Sequence, residues 1–308
     1  MLAPAFVLCV FAAACVVAAL ALASARWPGR SPAAAIILWQ ALGLGWGLAA
    51  VGALVGLASA GRRSGVAGGA LAQAASAMRG AARGQLPGTT GLRLIALVAG
   101  LALLGVLCWI LLAAFAAVVR ARRRQRVLLS LLAHGDPKVP GAVVVDHPAA
   151  AAYCVPGLRS TIVISAGALD LLDQAELAAV LAHERAHLRE RHDLVLLPFT
   201  ALLRAFRWTG VACEANAAVG LLVEMLADDR ARRHLPALEL ATALLRVGAA
   251  GGVRPPAGAL AVADGQVAAR VSRLLRPAPR LSVLTLVSIG VAAAVIVAVP
   301  VAVLALPL

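Results

Sequence analysis

The first 119 residues hold no aspartate or glutamate, and residues 281–308 hold no charged side chain of either sign. All 14 acidic residues fall between Asp136 and Asp264. Only 14% of the chain is charged and 62% is hydrophobic, whereas ordinary globular domains carry roughly 25% charged residues. So little charge cannot cover a fully solvated surface, so a bilayer is the natural solvent for much of the chain. The five cysteines show no CxxC spacing and are odd in number, which argues against a disulfide frame or a cysteine metal cluster and for buried thiols, as in a reducing compartment. The excess of +14 does not point to nucleic acid. Seven of these charges are arginines scattered between apolar runs, without aromatic interleaving, and arginine at membrane edges explains them.

The 308 residues allow one or two domains. Four uncharged stretches are long enough for a hydrocarbon core of about 30 Å, which takes about 20 residues. They predict three spans, at about 2–25, 33–60 and 94–119, and a fourth in residues 281–308. The first lacks a basic start and another span follows at once, so it reads as a retained helix rather than a cleaved signal peptide. Residues 62–93, rich in small residues, read as a flexible or surface-lying segment. The third span is expected to end at Val119, before Arg120, Arg122, Arg123, Arg124 and Arg126. Eleven arginines on that side against five on the other place residues 120–280 in the cytoplasm and the N-terminus outside.

Residues 120–280 carry the acids and read as a mixed domain. Strands are expected at Ala142–Val145, Ala151–Val155 and Ser160–Ser165, with Pro156-Gly157 as a turn. Asp173 and Glu176 make a capping box for a helix that runs to about residue 192. Further helices are expected at 194–209, 214–234, 236–249 and from about 265, the last capped by Asp264 after a Gly/Pro loop at 250–258. There is no internal repeat.

The informative residues lie on the capped helix: His183-Glu184-Arg185-Ala186-His187. Histidines four apart share one helix face, so both can present a ring nitrogen to one Zn²⁺. Glu184 projects beside them, placed to take a proton from a water that the ion activates. With six His and six Glu in the chain, composition alone produces this pattern on the order of 0.002 times. A catalytic zinc usually needs a third protein ligand and one open position. Glu224 is the candidate, because an unpaired carboxylate beside Val223, Met225 and Leu226 is costly to bury and a metal relieves that cost. The rival Glu214 lacks an acid one turn on, whereas Asp228 follows Glu224 by one turn and can accept the free N–H of a ligand histidine. The plain alternative makes Glu224 a surface partner of Arg230 or Arg232.

His192, five residues past His187, points away from the metal face on helical spacing. His134, His147 and His234 fall in loops or helix ends, and all four read as solvated or structural. Asp193 can tie its helix end to a neighbouring arginine. Tyr153 is the single tyrosine, and a donor role toward a transition state has no further support.

Ser165-Ala166-Gly167-Ala168-Leu169, the run from Glu176 to His187, and Arg191-His192-Asp193 together resemble the BlaR/MecR-type regulatory membrane metallopeptidases. Glu224-Met225-Leu226-Ala227-Asp228 resembles the third-ligand motif shared with HtpX-type peptidases. The resemblance implies an α-helical integral membrane protein with about four spans and an inserted α+β zincin-like (gluzincin) domain. It implies one zinc held by His183, His187 and Glu224, with Glu184 as base and Asp228 behind a ligand histidine. It also implies that Thr161, Ile162, Val163 and Ile164 form a sheet edge that pairs with extended substrate. The antibiotic-sensing members carry a large penicillin-binding domain after the last span; the sequence shows none there, so β-lactam sensing is not expected.

The expected function is a multi-pass endopeptidase of the cell membrane, acting in regulation or quality control on a protein or peptide, such as a transcriptional repressor or a membrane protein. Its expected surroundings are the lipid bilayer and no nucleic acid. The competing class is a non-catalytic signalling scaffold with a closed zinc site of four protein ligands. A transporter is disfavoured, because no span carries a charge or a paired helix break.

Overall fold

The computed structural model describes residues 3–59, 68–69, 72–76, 88–136, 139–156, 160–233, 235–250, 259–276 and 278–305. The segment at 62–93, the turn at Pro156-Gly157, His234 and most of the loop at 250–258 thus fall largely outside the described residues.

Three long apolar helices come first: α1 (Ala3–Ser24), α2 (Pro32–Ser59) and α3 (Gly88–Leu132). A short 3-10 turn, Trp27–Arg30, joins α1 to α2. Helix α3 runs on past Val119, the expected end of the third span, through the arginine cluster to Leu132. Arginine is a good helix former, so the cluster changes the solvent around the helix without breaking it. At 45 residues, α3 is about 68 Å long, longer than the bilayer is thick.

A four-stranded sheet follows, built from β1 (Ala133–His134), β2 (Ala142–Val145), β3 (Ala152–Val155) and β4 (Thr161–Ser165), in the order β1-β2-β4-β3. Strand β4 runs parallel to β2 and antiparallel to β3, with Val143 opposite Val163 and Cys154 opposite Ile162. This corrects the expected role of Thr161, Ile162, Val163 and Ile164. Their strand is hydrogen-bonded on both sides and offers no edge, and Ile162, Val163 and Ile164 are buried. Consecutive apolar residues, buried on both faces, mark an interior strand; the edges are β1 and β3.

The remaining elements are helices: α4 (Ala166–Leu171), α5 (Gln174–Arg189), α6 (His192–Ala205), α7 (Gly210–Ala231), α8 (Ala237–Ala249), α9 (Ala259–Leu275) and α10 (Val283–Ala305). Ser165 caps α4, its Oγ accepting from the Ala168 N–H at 3.1 Å. Gly167 is required there, because a Cβ would lie 1.9 Å from the Pro148 carbonyl oxygen. Helix α9 begins at Ala259, so Asp264 lies within it and not at its cap.

Five described helices are long and apolar enough to cross a membrane by length and composition: Pro4–Ser24, Pro32–Ser59, Gly91–Leu131, Gly210–Ala231 and Val283–Ala305. Large apolar side chains stand exposed along them, including Phe6, Trp109, Leu112 and Leu284. Such contiguous apolar surface suits a membrane protein. Gly210–Ala231, α7, is one more than the four expected spans. It carries Glu214, Glu224, Asp228 and Asp229 and packs against both the membrane-type helices α1 and α2 and the helices α5 and α6.

Two apolar clusters hold the parts together. In one, Cys15, Trp39, Phe199 and Val223 join α1, α2, α6 and α7, with Trp39 and Phe199 edge to face at 6.3 Å. In the other, Val144, Ile162 and Ile164 of the sheet meet Leu177 and Leu181 of α5 and Ala243 of α8. Helix α5 therefore has the sheet on one side and α7 and α8 on the others, which determines where its polar face points. Two further ties run from the membrane-type helices to α6: Gln40 Nε2 donates to the Val195 carbonyl at 2.9 Å, and Arg122 pairs with Asp193. The latter is the arginine partner expected for Asp193.

Candidate metal centre and active site

Helix α5 starts with a complete capping box. The Asp173 carboxylate accepts from the Ala175 and Glu176 N–H groups, and the Glu176 carboxylate accepts from the Asp173 N–H at 3.0 Å. Glu176 is itself buried and paired with Arg246 at 2.8 Å. Two turns on, His183 and His187 stand on one face, with their Nε2 atoms 3.0 Å apart. Glu224 reaches across from α7: Oε2 lies 3.3 Å from His183 Nε2, and Oε1 lies 3.5 Å from His187 Nε2. One donor atom from each of the three residues lies within 4.8 Å of the others. Two imidazoles and a carboxylate are a donor set that suits a borderline divalent cation such as zinc, and this trio could hold one.

The outer nitrogens of both rings are also met. Asp228 Oδ1 lies 3.0 Å from His183 Nδ1, a close but oblique approach. On His187 the expectation needs correction. His192 does not point away: it is buried, and its Nδ1 lies 3.0 Å from His187 Nδ1. The reason is Arg191, whose φ of 52° and ψ of 44° put it in the left-handed region. That turn breaks the helical spacing after α5 and folds His192 back against His187. Glu190 Oε2 is 3.6 Å from the far nitrogen of His192, and Glu190 pairs in turn with Arg230.

The sequence reading also passed over Arg270. From α9 it donates to both oxygens of Asp228 and lies 2.9 Å from Glu224 Oε2. Its only signal in the sequence was a basic residue on an amphipathic helix, the common appearance of a solvated face. In the fold it is buried, 42 residues from Asp228. The Arg230 and Arg232 alternative for Glu224 does not hold among the described residues: Arg230 pairs with Glu190, and Arg232 lies 3.8 Å from Asp229.

The electrostatics favour a cation. Burial disfavours a charged imidazole at His183, but hydrogen bonding and charge from Asp228 and Glu224 outweigh it and push its pKa up to about 9. The two carboxylates thus favour a positive charge at this point, and a metal cation would supply it. Glu184 lies beside the trio, and its carboxyl is pushed up chiefly by burial, against the lowering effect of the two histidines. It shares a hydrogen bond with the Cys154 thiol, whose pKa is raised to about 12 by burial and by the Glu184 charge.

The trio opens onto a cavity of about 440 Å³ whose wall includes Tyr153 and Cys154 of β3, Glu184, Val180 and Leu240. The edge strand therefore flanks the metal-type cluster. Tyr153 is exposed there, and Cys154 is half-buried. The five cysteines are all free thiols; Cys15 is buried, whereas Cys9, Cys108 and Cys213 are exposed, contrary to the expectation of burial. For Cys9 and Cys108, exposure on an apolar helix suits lipid as well as burial does, which is why composition could not separate the two; Cys213 lies in the first turn of α7.

His134 lies in β1, and the His147 ring accepts from the Ala149 N–H at 3.1 Å; neither approaches the cluster.

No curated protein and no solved structure matches this chain. Residues 119–247, which include His183, Glu184, His187, Glu224 and Asp228, match the model of Peptidase family M48, and that match supports a metallopeptidase of this family.

Proposed function

We propose that this chain is a membrane-embedded, zinc-dependent endopeptidase. The observation that carries the reading is the approach of Glu224 on α7 to the two Nε2 atoms on α5, beside Glu184 and open to one cavity. His183, His187 and Glu224 would hold the ion. Asp228 behind His183 and His192 behind His187 would fix the ring orientations and leave the inner nitrogens free to donate electron pairs. When bound, zinc polarises a peptide carbonyl and makes water a stronger acid. Glu184, whose proton affinity is raised by its surroundings, would take the proton from that water and pass it to the leaving amine.

A closed structural zinc is the competing reading. Asp228 and His192 would be the fourth ligands in such a site, but each faces an outer ring nitrogen rather than the inner side of the trio. That arrangement supports an open position, as catalysis requires.

Substrate would lie extended along the outer edge of β3, where main-chain hydrogen bonds give affinity without demanding one sequence. The finer family reading, a BlaR/MecR-type regulatory enzyme related to HtpX-type peptidases, is supported by the motifs at 165–193 and 224–228. On this reading the chain divides into a membrane unit at 1–119, a peptidase domain at 120–280 facing the cytoplasm, and a last span at 281–308. Its substrate is a regulatory or membrane-associated protein.

The test is metal analysis and peptide-bond cleavage on the purified full chain. Wild type should carry about one zinc and cleave an unfolded protein substrate. Glu184→Gln should keep the zinc and lose cleavage by at least about 10²-fold. Cleavage at the wild-type rate in that variant would remove Glu184 from its assigned role.

A further inference from the structure

A second cavity, of about 670 Å³, shares no lining residue with the one at the metal-type cluster and lies where α2 and α10 begin. Six arginines line it: Arg30, Arg230, Arg232, Arg233, Arg273 and Arg280. The single acid in its wall is Asp229, which is taken by Arg273 at 2.6 Å and approached by Arg232 at 3.8 Å. Arg230 is paired with Glu190. Arg30, Arg233 and Arg280 are exposed and have no ion-pair partner among the described residues. The cavity therefore gathers several uncompensated positive charges around one space, which favours a bound anion.

The surroundings indicate which anion. Ser31, Pro32 and Ala33 of the α2 start and Val283 and Leu286 of α10 also line the cavity. Both helices are long and apolar enough to cross a membrane, so the arginines stand at headgroup depth. Leu226, Leu281 and Leu286 form an apolar wall. From there Val283, Leu284, Val287 and Val291 continue down α10 as exposed apolar surface. A small inorganic anion has no use for such a wall; an acyl chain attached to a phosphate does. Basic pockets beside membrane-spanning helices are sites of this kind.

We propose that this cavity binds the phosphate headgroup of an anionic glycerophospholipid, with an acyl chain lying along α10. The site is also coupled to the fold. Arg273 donates to the Gly29 carbonyl at 2.6 Å, linking α9 to the turn before α2. The inference rests on the membrane character of the chain and not on the peptidase reading, and neither zinc content nor cleavage enters its test.

The test is native mass spectrometry of the full chain in mild detergent, titrated with phosphatidylglycerol or with phosphatidylcholine of the same acyl chains. Wild type should retain phosphatidylglycerol in preference to phosphatidylcholine. The combined Arg30→Gln, Arg233→Gln and Arg280→Gln variant should bind phosphatidylglycerol about tenfold or more weakly, with an unchanged thermal midpoint. The combined Arg120→Gln, Arg123→Gln and Arg124→Gln variant removes equal charge elsewhere and should bind as wild type. Should the triple at the cavity lower the thermal midpoint, Arg233→Gln and Arg280→Gln alone give the reading, each with a partial loss. Equal weakening by the two triples, or equal retention of the two lipids, would overturn the site. Displacement of the lipid by millimolar inorganic phosphate would overturn the lipid assignment and leave a phosphate site.

Discussion

Arg270 grips Asp228 with two parallel hydrogen bonds, Nη2 to Oδ1 at 2.7 Å and Nε to Oδ2 at 2.9 Å. Asp228 is fully buried and faces His183 on its other side. The pair thus places a fixed negative charge behind one imidazole, and it does so from a helix outside the stretch that matches the peptidase family.

Removing one partner of such a pair leaves a buried, uncompensated charge. Arg270→Met is expected to cost about 3–5 kcal/mol of stability, read as a lower unfolding midpoint in detergent. Arg270→Lys keeps the charge but not the planar fork, and should lie between the two. A midpoint for Arg270→Met equal to wild type would show that the pair contributes nothing to the fold.

His192 is expected to act on metal affinity rather than on folding. His192→Phe keeps an aromatic ring in the buried position but removes the nitrogen facing His187. Partners of this kind typically matter by about 10–100-fold in affinity. Competition with a chelator of known strength measures it; an unchanged zinc affinity would mean that the contact does not orient the ligand.

The charged cluster also makes a pH prediction for metal-free protein. His183 carries a folded-state pKa of about 9 against an ordinary value of 6.5. A group raised in this way stabilises the fold fully below about pH 6.5, and the contribution disappears as pH rises through 9. Chelated protein should therefore lose thermal stability between these values, and zinc should remove most of that dependence. A flat profile in the chelated protein would contradict the proton at His183.

Cys154 is held as a neutral thiol by burial and by Glu184, with its pKa raised to about 12. In chelated protein at pH 8 it should resist alkylation, because the thiolate is the reactive form, while the exposed Cys213 reacts. Site-resolved mass spectrometry separates the two. Labelling of Cys154 as fast as Cys213 would mean that the β3 edge is not packed against Glu184 as described.

Much of this architecture could be read from local patterns, because the forces behind those patterns are local. Uncharged runs of 20 residues or more marked the long helices at 3–24, 32–59 and 283–305, since burial in lipid requires each residue to be apolar. The capping box at Asp173 and Glu176 needs residues only three apart. Strand positions at 142–145 and 161–165 followed from short β-branched runs, and 152–155 from the Pro156-Gly157 turn signal after it. The strand order did not: whether β3 or β4 forms the edge depends on which strands pair, and an interior strand and an edge strand can carry similar side chains.

The amino-acid order alone settled that His183, Glu184 and His187 share one helix, because a four-residue spacing fixes a face wherever the helix goes. It also singled out Glu224 as a carboxylate in need of a partner, through its apolar neighbours. Only the tertiary structure decided that Arg270 reaches Asp228 and that His192 turns back onto His187. The first contact spans 42 residues and leaves no periodic trace; the second hangs on the left-handed backbone at Arg191. Long-range pairing and a single dihedral are set by how packed elements meet, and no local pattern encodes that.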